Sequence, residues 1–167
     1  MRLRRLERKA ARLLDDLSLP RLLTTAALCA HISVARRRPL HLHPLSMVGT
    51  PGTPGGMWIE TEAADHIFYN GDTRPLHQQH IILHEIGHML CRHRNTETDA
   101  LAAIMPDLDV EMILSVLGRS TYSLVAEQEA EVIATLLAQR MQSSEVDLKP
   151  ANILEEFSNR AARDVRR

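Results

Sequence analysis

The chain has 167 residues, 44% apolar and 25% charged, with a formal net charge of −1. That length and balance suit one domain able to bury a core, and they give no global case for nucleic-acid or membrane binding. Aromatic residues are 3% of the chain, so Leu, Ile, Val and Met must build the core, and the charge is uneven: residues 1–12 hold six Arg or Lys and one Glu, residues 97–131 eight Asp or Glu and one Arg. A solvated acidic face is the default reading of the second stretch, with a cation site or a basic substrate also compatible.

Leu3, Leu6, Ala10, Leu13, Leu14 and Leu17 recur at helical spacing, which predicts an amphipathic helix over residues 2–17, broken by Pro20. Residues 21–36 form a second predicted helix, closed by Pro39, with Arg36-Arg37-Arg38 as a solvated end favoured by the helix dipole. The apolar run Leu22 to Ala30 is interrupted on approach by Glu7, Asp15 and Asp16, and Leu28 before Cys29 suits no lipoprotein processing site, so a signal peptide is set aside. No apolar run reaches eighteen residues. The two cysteines, Cys29 and Cys91, form no paired pattern, which fits a reducing cytoplasm.

From Pro39 the period changes to that of a strand, with Leu40, Leu42 and Leu45 opposite His41 and His43. Residues 46–56 read as a loop, residues 57–60 and 66–69 as short strands, and Glu62-Ala63-Ala64-Asp65 as the hairpin between them. The expected result is a small antiparallel sheet directly before the next helix, ended by Asn70-Gly71-Asp72.

That helix, residues 77–91 with Pro75 in its first turn, carries His84-Glu85-Ile86-Gly87-His88, an H-E-x-x-H run. Two histidines four apart share one helical face and can converge on a tetrahedral metal, zinc being the natural partner of imidazole nitrogen. Glu85 is rotated by about 100° from His84, where it can take a proton from a metal-bound water. A third ligand is required. Taken on a wheel, Glu129 lies among Val125, Val132, Ile133 and Leu136, all within about 60° of it, in a predicted helix over residues 122–141 capped by Ser120 or Thr121. A carboxylate in an apolar stripe is costly unless it is paired or bound to a cation. A metal held by His84 and His88 would satisfy it, and so would an ion pair with an Arg or exposure at a helix end, whereas Glu127 and Glu131 project to the solvated side. His93 lies about 140° around the helix from His88 and reaches the site only if the helix ends early; His80 shares the face but is too far along the axis. Cys91 reads as a small packed hydrophobe. Tyr122, Tyr69 and His93 are the candidates by position for stabilising an oxyanion. Residues 109–117 and 150–163 complete the set as short helices.

The runs HIILHEIGHMLCRH and AEQEAEVIATLL together resemble the ImmA/IrrE-type zinc metallopeptidases, over roughly residues 38–141. Glu131 and Ile133 depart mildly from that family's second block, and the segment between the blocks is long for it. The resemblance implies His84, His88 and Glu129 as zinc ligands, Glu85 as the catalytic base, and cleavage of a helix-turn-helix transcriptional repressor, with roles in stress response or mobile-element induction. The expected whole is therefore an α+β, mainly helical zincin-like domain spanning residues 1–167: N-terminal helices over 1–36, a catalytic core over 38–141 and a C-terminal helix over 150–163. It would be a cytoplasmic zinc endopeptidase acting on a protein partner, without direct nucleic-acid or membrane binding. Two other classes compete: a non-catalytic, metal-stabilised module that grips a transcriptional regulator, and a hydrolase of non-peptide substrates. Glu85 argues against the first, because a structural zinc site needs no base.

Overall fold

The computed structural model describes residues 2–46, 55–94, 96–103, 113, 116–117 and 122–147. The helices expected over residues 109–117 and 150–163 lie outside the described residues, save Ile113, Val116 and Leu117, which are helical.

Helix α1 spans Arg2–Asp16 and α2 spans Thr25–Arg36. The second helix starts four residues later than its hydrophobicity implies, because Thr24 is its N-cap: the hydroxyl accepts from the Ala27 amide at 3.1 Å. Strands β1 (Leu40–Leu45), β2 (Gly56–Glu60) and β3 (Asp65–Asn70) follow, then α3 (Pro75–Cys91), α4 (Thr96–Ala102) and α5 (Leu124–Asp147). Ser123, rather than Ser120 or Thr121, caps α5 by accepting from the Ala126 amide.

The architecture is mainly helical α+β, but the sheet is mixed rather than antiparallel. The strand order is β1-β3-β2; β2 and β3 form the expected antiparallel hairpin, while β1 runs parallel to β3 with Leu40 opposite Asp65. Residue alternation gives the faces of a strand, and those faces are the same whichever way the strand runs. One face of the sheet, through Trp58 and Ile67, joins α1, α2, α3 and α5 in the main core with Leu14, Leu28, Leu83, Ile86 and Leu137. The other face, through Leu45, Met57, Ile59 and Phe68, is covered by Ile113 and Leu117.

The arginine run is not a solvated helix end. Arg36 and Arg38 turn back onto the hairpin, where Asp65, 1% exposed, accepts from Arg36 Nε at 2.8 Å and from the Trp58 indole at 3.0 Å, while Arg38 reaches Glu60 at 2.8 Å. A buried carboxylate held by a guanidinium fork and an indole fixes the hairpin against α2. Arg37 itself takes the left-handed C-cap position, with φ 54°.

Candidate metal centre

Among the described helices α3 and α5 pack most extensively on each other, and Gly87 lets their backbones approach. A Cβ at Gly87 would stand 2.7 Å from the Ala130 carbonyl oxygen and 2.8 Å from its Cα. The buried face of α5 is correspondingly built from Ala126, Ala130, Ile133, Ala134, Leu137 and Met141. On the wheel these lie about 40° to 140° to one side of Glu129, with Glu127 just beyond them at about 160°. The two glutamates therefore bracket the buried arc, one on each flank of the crossing.

That arrangement changes the third donor. His84 and His88 stand as the motif requires, with their Nε2 atoms 3.0 Å apart, but the carboxylate beside them is Glu127. Its Oε2 is 3.1 Å from His84 Nε2 and 3.8 Å from His88 Nε2. One donor atom from each of His84, His88 and Glu127 lies within 4.8 Å of the others, a grouping that could hold a metal ion. Glu129 points to the other flank, where Lys9 Nζ donates to Oε1 at 2.7 Å and His93 Nε2 sits 3.0 Å from Oε2. The stripe drawn through Val125, Val132, Ile133 and Leu136 omitted the alanines, and Val125 is 42% exposed. Small residues bury the face that approaches closest, so weighting by side-chain size rotates the inferred core direction away from the true one.

The outer nitrogens of both histidines are also engaged. His84 Nδ1 is 3.3 Å from Glu131 Oε2, and His80 Nε2 lies at the same distance from that carboxylate. His88 Nδ1 is 3.0 Å from His93 Nδ1. The condition set for His93 is met: α3 ends at Cys91, Arg92 takes a left-handed cap with φ 54°, and the turn returns His93 against His88. Hydrogen bonds of this kind fix tautomer and ring orientation in metal-ligating histidines. All three glutamates of the Glu127-Gln128-Glu129-Ala130-Glu131 run thus bear on the histidine pair, either directly or through another histidine.

Glu85 lies beneath the pair, 5% exposed, with Oε2 buried and without a hydrogen-bond partner. Burial, reinforced by the nearby Glu127 charge and partly offset by the Trp58 backbone amide, raises its pKa to about 8. Gly56 makes room for it, since a Cβ there would stand 3.1 Å from Glu85 Oε1. Burial, with His84 and His93 adding to it, lowers the His88 pKa to about 3, so its ring is neutral and keeps a free lone pair. Tyr122 stacks on His88 with centroids 3.8 Å apart, and its buried hydroxyl has no partner. Burial, then Glu85 and Glu127, push that hydroxyl above its usual range, so it stays a donor. Of the other oxyanion candidates, Tyr69 packs on the main core and His93 is committed to His88 and Glu129.

His84, Glu85, His88, Tyr122 and Glu127 line one cleft of about 290 Å³, bordered by Gly55, Gly56 and Met57 of β2 and the residue before it. The donor chemistry fits a metal: two imidazole nitrogens and a carboxylate converge beside a buried carboxyl group with an unsatisfied oxygen. Among the described residues no helix is long and apolar enough to cross a membrane. Comparison of the chain with protein-family models, with curated proteins and with solved structures finds no match.

Proposed function

We propose that the chain is a zinc metallo-endopeptidase of the ImmA/IrrE type, with His84, His88 and Glu127 as ligands and a helix-turn-helix transcriptional regulator as the substrate class. The observation that carries this reading is the convergence of those three donors next to Glu85, a buried carboxyl group with an unsatisfied oxygen. Two imidazoles and one carboxylate form a catalytic zinc donor set that leaves a position open, whereas structural zinc sites use four protein ligands. Bound zinc supplies a Lewis acid and brings the pKa of a coordinated water towards 7.

The chain's own groups account for the rest. Glu85 accepts a proton and returns it to the leaving amine. Its pKa is raised partly by the Glu127 charge, which a bound dication would offset, favouring the ionised base. The Tyr122 hydroxyl donates to the developing oxyanion. The first residues of β2 border the cleft, where a bound peptide would lie against them.

The test is zinc content by elemental analysis, paired with cleavage of a peptide library and of candidate regulators read by mass spectrometry. Wild type should bind zinc and cleave; Glu85→Gln should keep the wild-type zinc content and lose cleavage; His84→Ala and Glu127→Ala should each hold about one zinc fewer per chain than wild type and lose cleavage. Zinc retained without cleavage in wild type and Glu85→Gln alike would leave the metal-stabilised binding module as the function.

A further inference from the structure

The second flank of the α3–α5 crossing holds a donor set of its own. The Cys91 sulfur, a His93 ring nitrogen and a Glu129 carboxylate oxygen all lie within 4.8 Å of one another. Their convergence follows from the helix end. Cys91 is the last residue of α3, Arg92 takes the left-handed cap, and the His93 amide donates to the His88 carbonyl at 3.0 Å. A Cys-x-His unit wrapped around that cap presents thiol and imidazole on one side of the chain, and α5 brings Glu129 to them.

We propose that Cys91, His93 and Glu129 form a second transition-metal site, taking zinc or another thiolate-preferring dication. This does not rest on the peptidase reading, since none of the three belongs to the His84, His88 and Glu127 set. One thiolate, one imidazole and one carboxylate match the ligand types of tetrahedral zinc, and the two anionic donors balance a dication. Glu129 already binds a cation: the Lys9 ammonium holds its Oε1 at 2.7 Å. The Lys9 side chain is 66% exposed, so it can return to solvent at little cost when a metal arrives. Cys91 and Glu129 open on a groove of about 1010 Å³ edged by Arg5, Arg8 and Arg12. An entering ion therefore has a path, and the cationic rim favours an anion over water as its fourth ligand.

The probe is cobalt(II), titrated into the metal-free 167-residue chain, with the thiolate-to-cobalt charge-transfer absorption as the readout. Wild type should develop the band, and His84→Ala, which disables the first cluster, should keep it. Cys91→Ser, a near-isosteric change at a half-buried position, should abolish it while leaving the helical circular dichroism of the wild type. Glu129→Gln should weaken the band at a cobalt concentration that saturates wild type, and Lys9→Ala should shift its appearance to lower cobalt. No band in either wild type or His84→Ala would overturn the proposal. A band that survives Cys91→Ser would also overturn it, because the thiolate would then be Cys29, which lies 8% exposed in the main core. Loss of the peptidase reading would leave the band untouched, so the two failures are distinguishable.

Discussion

His84, His88 and Glu127 on one flank of the α3–α5 crossing, and Cys91, His93 and Glu129 on the other, are three donors each, drawn from the same two helices and their ends. Their neighbourhoods differ. The first cluster has Glu85 buried beneath it, the Tyr122 hydroxyl beside it and the start of β2 along its cleft. The second has a lysine ammonium on its carboxylate and opens on a basic groove, with no carboxyl group among its lining residues placed to serve as a base except Glu129 itself and Asp16. Donor geometry alone thus says where a metal can sit. The groups behind the donors decide whether anything can be done with it, and among the described residues the first flank combines a buried acid, a donor hydroxyl and a cleft.

Both clusters depend on the same close approach, so the most disruptive change lies at neither. Gly87→Ala places a methyl against the Ala130 backbone, which cannot swing aside as a side chain can. The expected cost is about 3 kcal/mol, at the upper end of overpacking effects, or roughly 10 °C in melting temperature for a chain of this size. Both metal signals should fall together. A Gly87→Ala protein with wild-type melting temperature and metal content would show that the crossing does not set the two sites.

The next contrast separates the carboxylates. Glu127→Ala removes a donor of the first cluster and should cost more than about 100-fold in zinc affinity there, while Glu129→Ala, which touches that cluster only through His93, should cost about 10-fold. Zinc affinities measured by competition with a chelator give the ranking. The reverse order would restore Glu129 as the third ligand, as its place in the sequence implied.

Glu85 distinguishes the first flank by a pH dependence. Its folded pKa of about 8 stands above the ordinary 4.5, so between those values the metal-free folded protein keeps a proton that the unfolded chain releases. Stability tied to this group is therefore fully present at low pH and is lost as pH rises through that window. Metal-free Glu85→Gln, which does not titrate, should gain on wild type from pH 5 to pH 8, by at most about 1.4 kcal/mol per pH unit. Parallel curves in chemical denaturation would sink the account of a buried, unbalanced carboxyl group.

Much of this was readable in the residues. The H-E-x-x-H spacing alone places His84, Glu85 and His88, because helical periodicity sets residues four apart on one face and turns the residue after the first of them by about 100°. The amphipathic leucines of α1 and the change of period at Pro39 likewise located α1 and β1, although Leu45, read with Leu40 and Leu42, joins the opposite face with Met57, Ile59 and Phe68. The third donor was not readable in the same way: it depends on which side of α5 approaches α3, and that is decided by Gly87 and a run of alanines, the residues a hydrophobic stripe weighs least. Strand direction in β1 and the burial of Arg36 and Arg38 on Asp65 are long-range pairings, which local spacing does not encode. The turn at Arg92 that returns His93 could be stated only as a condition, since a non-glycine left-handed cap carries a weak sequence signal.

The two flanks are joined by one contact, and it sharpens the comparison furthest. His88 Nδ1 and His93 Nδ1 are 3.0 Å apart, so one of them must carry the proton and the other accept it. Coordination through His88 Nε2 puts the proton on His88 Nδ1, and His93 must then hold its own on Nε2, facing Glu129 Oε2 at 3.0 Å. Coordination through His93 Nε2 needs that nitrogen bare, which moves the His93 proton to Nδ1 and sets two donors against each other. Filling either site therefore weakens the other, and by linkage the effect is reciprocal. His84→Ala removes the first site and frees His88 to act as the acceptor, so the cobalt-thiolate band should reach its midpoint at about fivefold lower free cobalt than in wild type, the low end of ordinary coupling between sites. His93→Asn should abolish the band in either background, as expected of a ligand. An unmoved midpoint in His84→Ala would mean that the proton between the two rings adjusts without cost, and that the flanks bind their metals independently despite sharing a hydrogen bond.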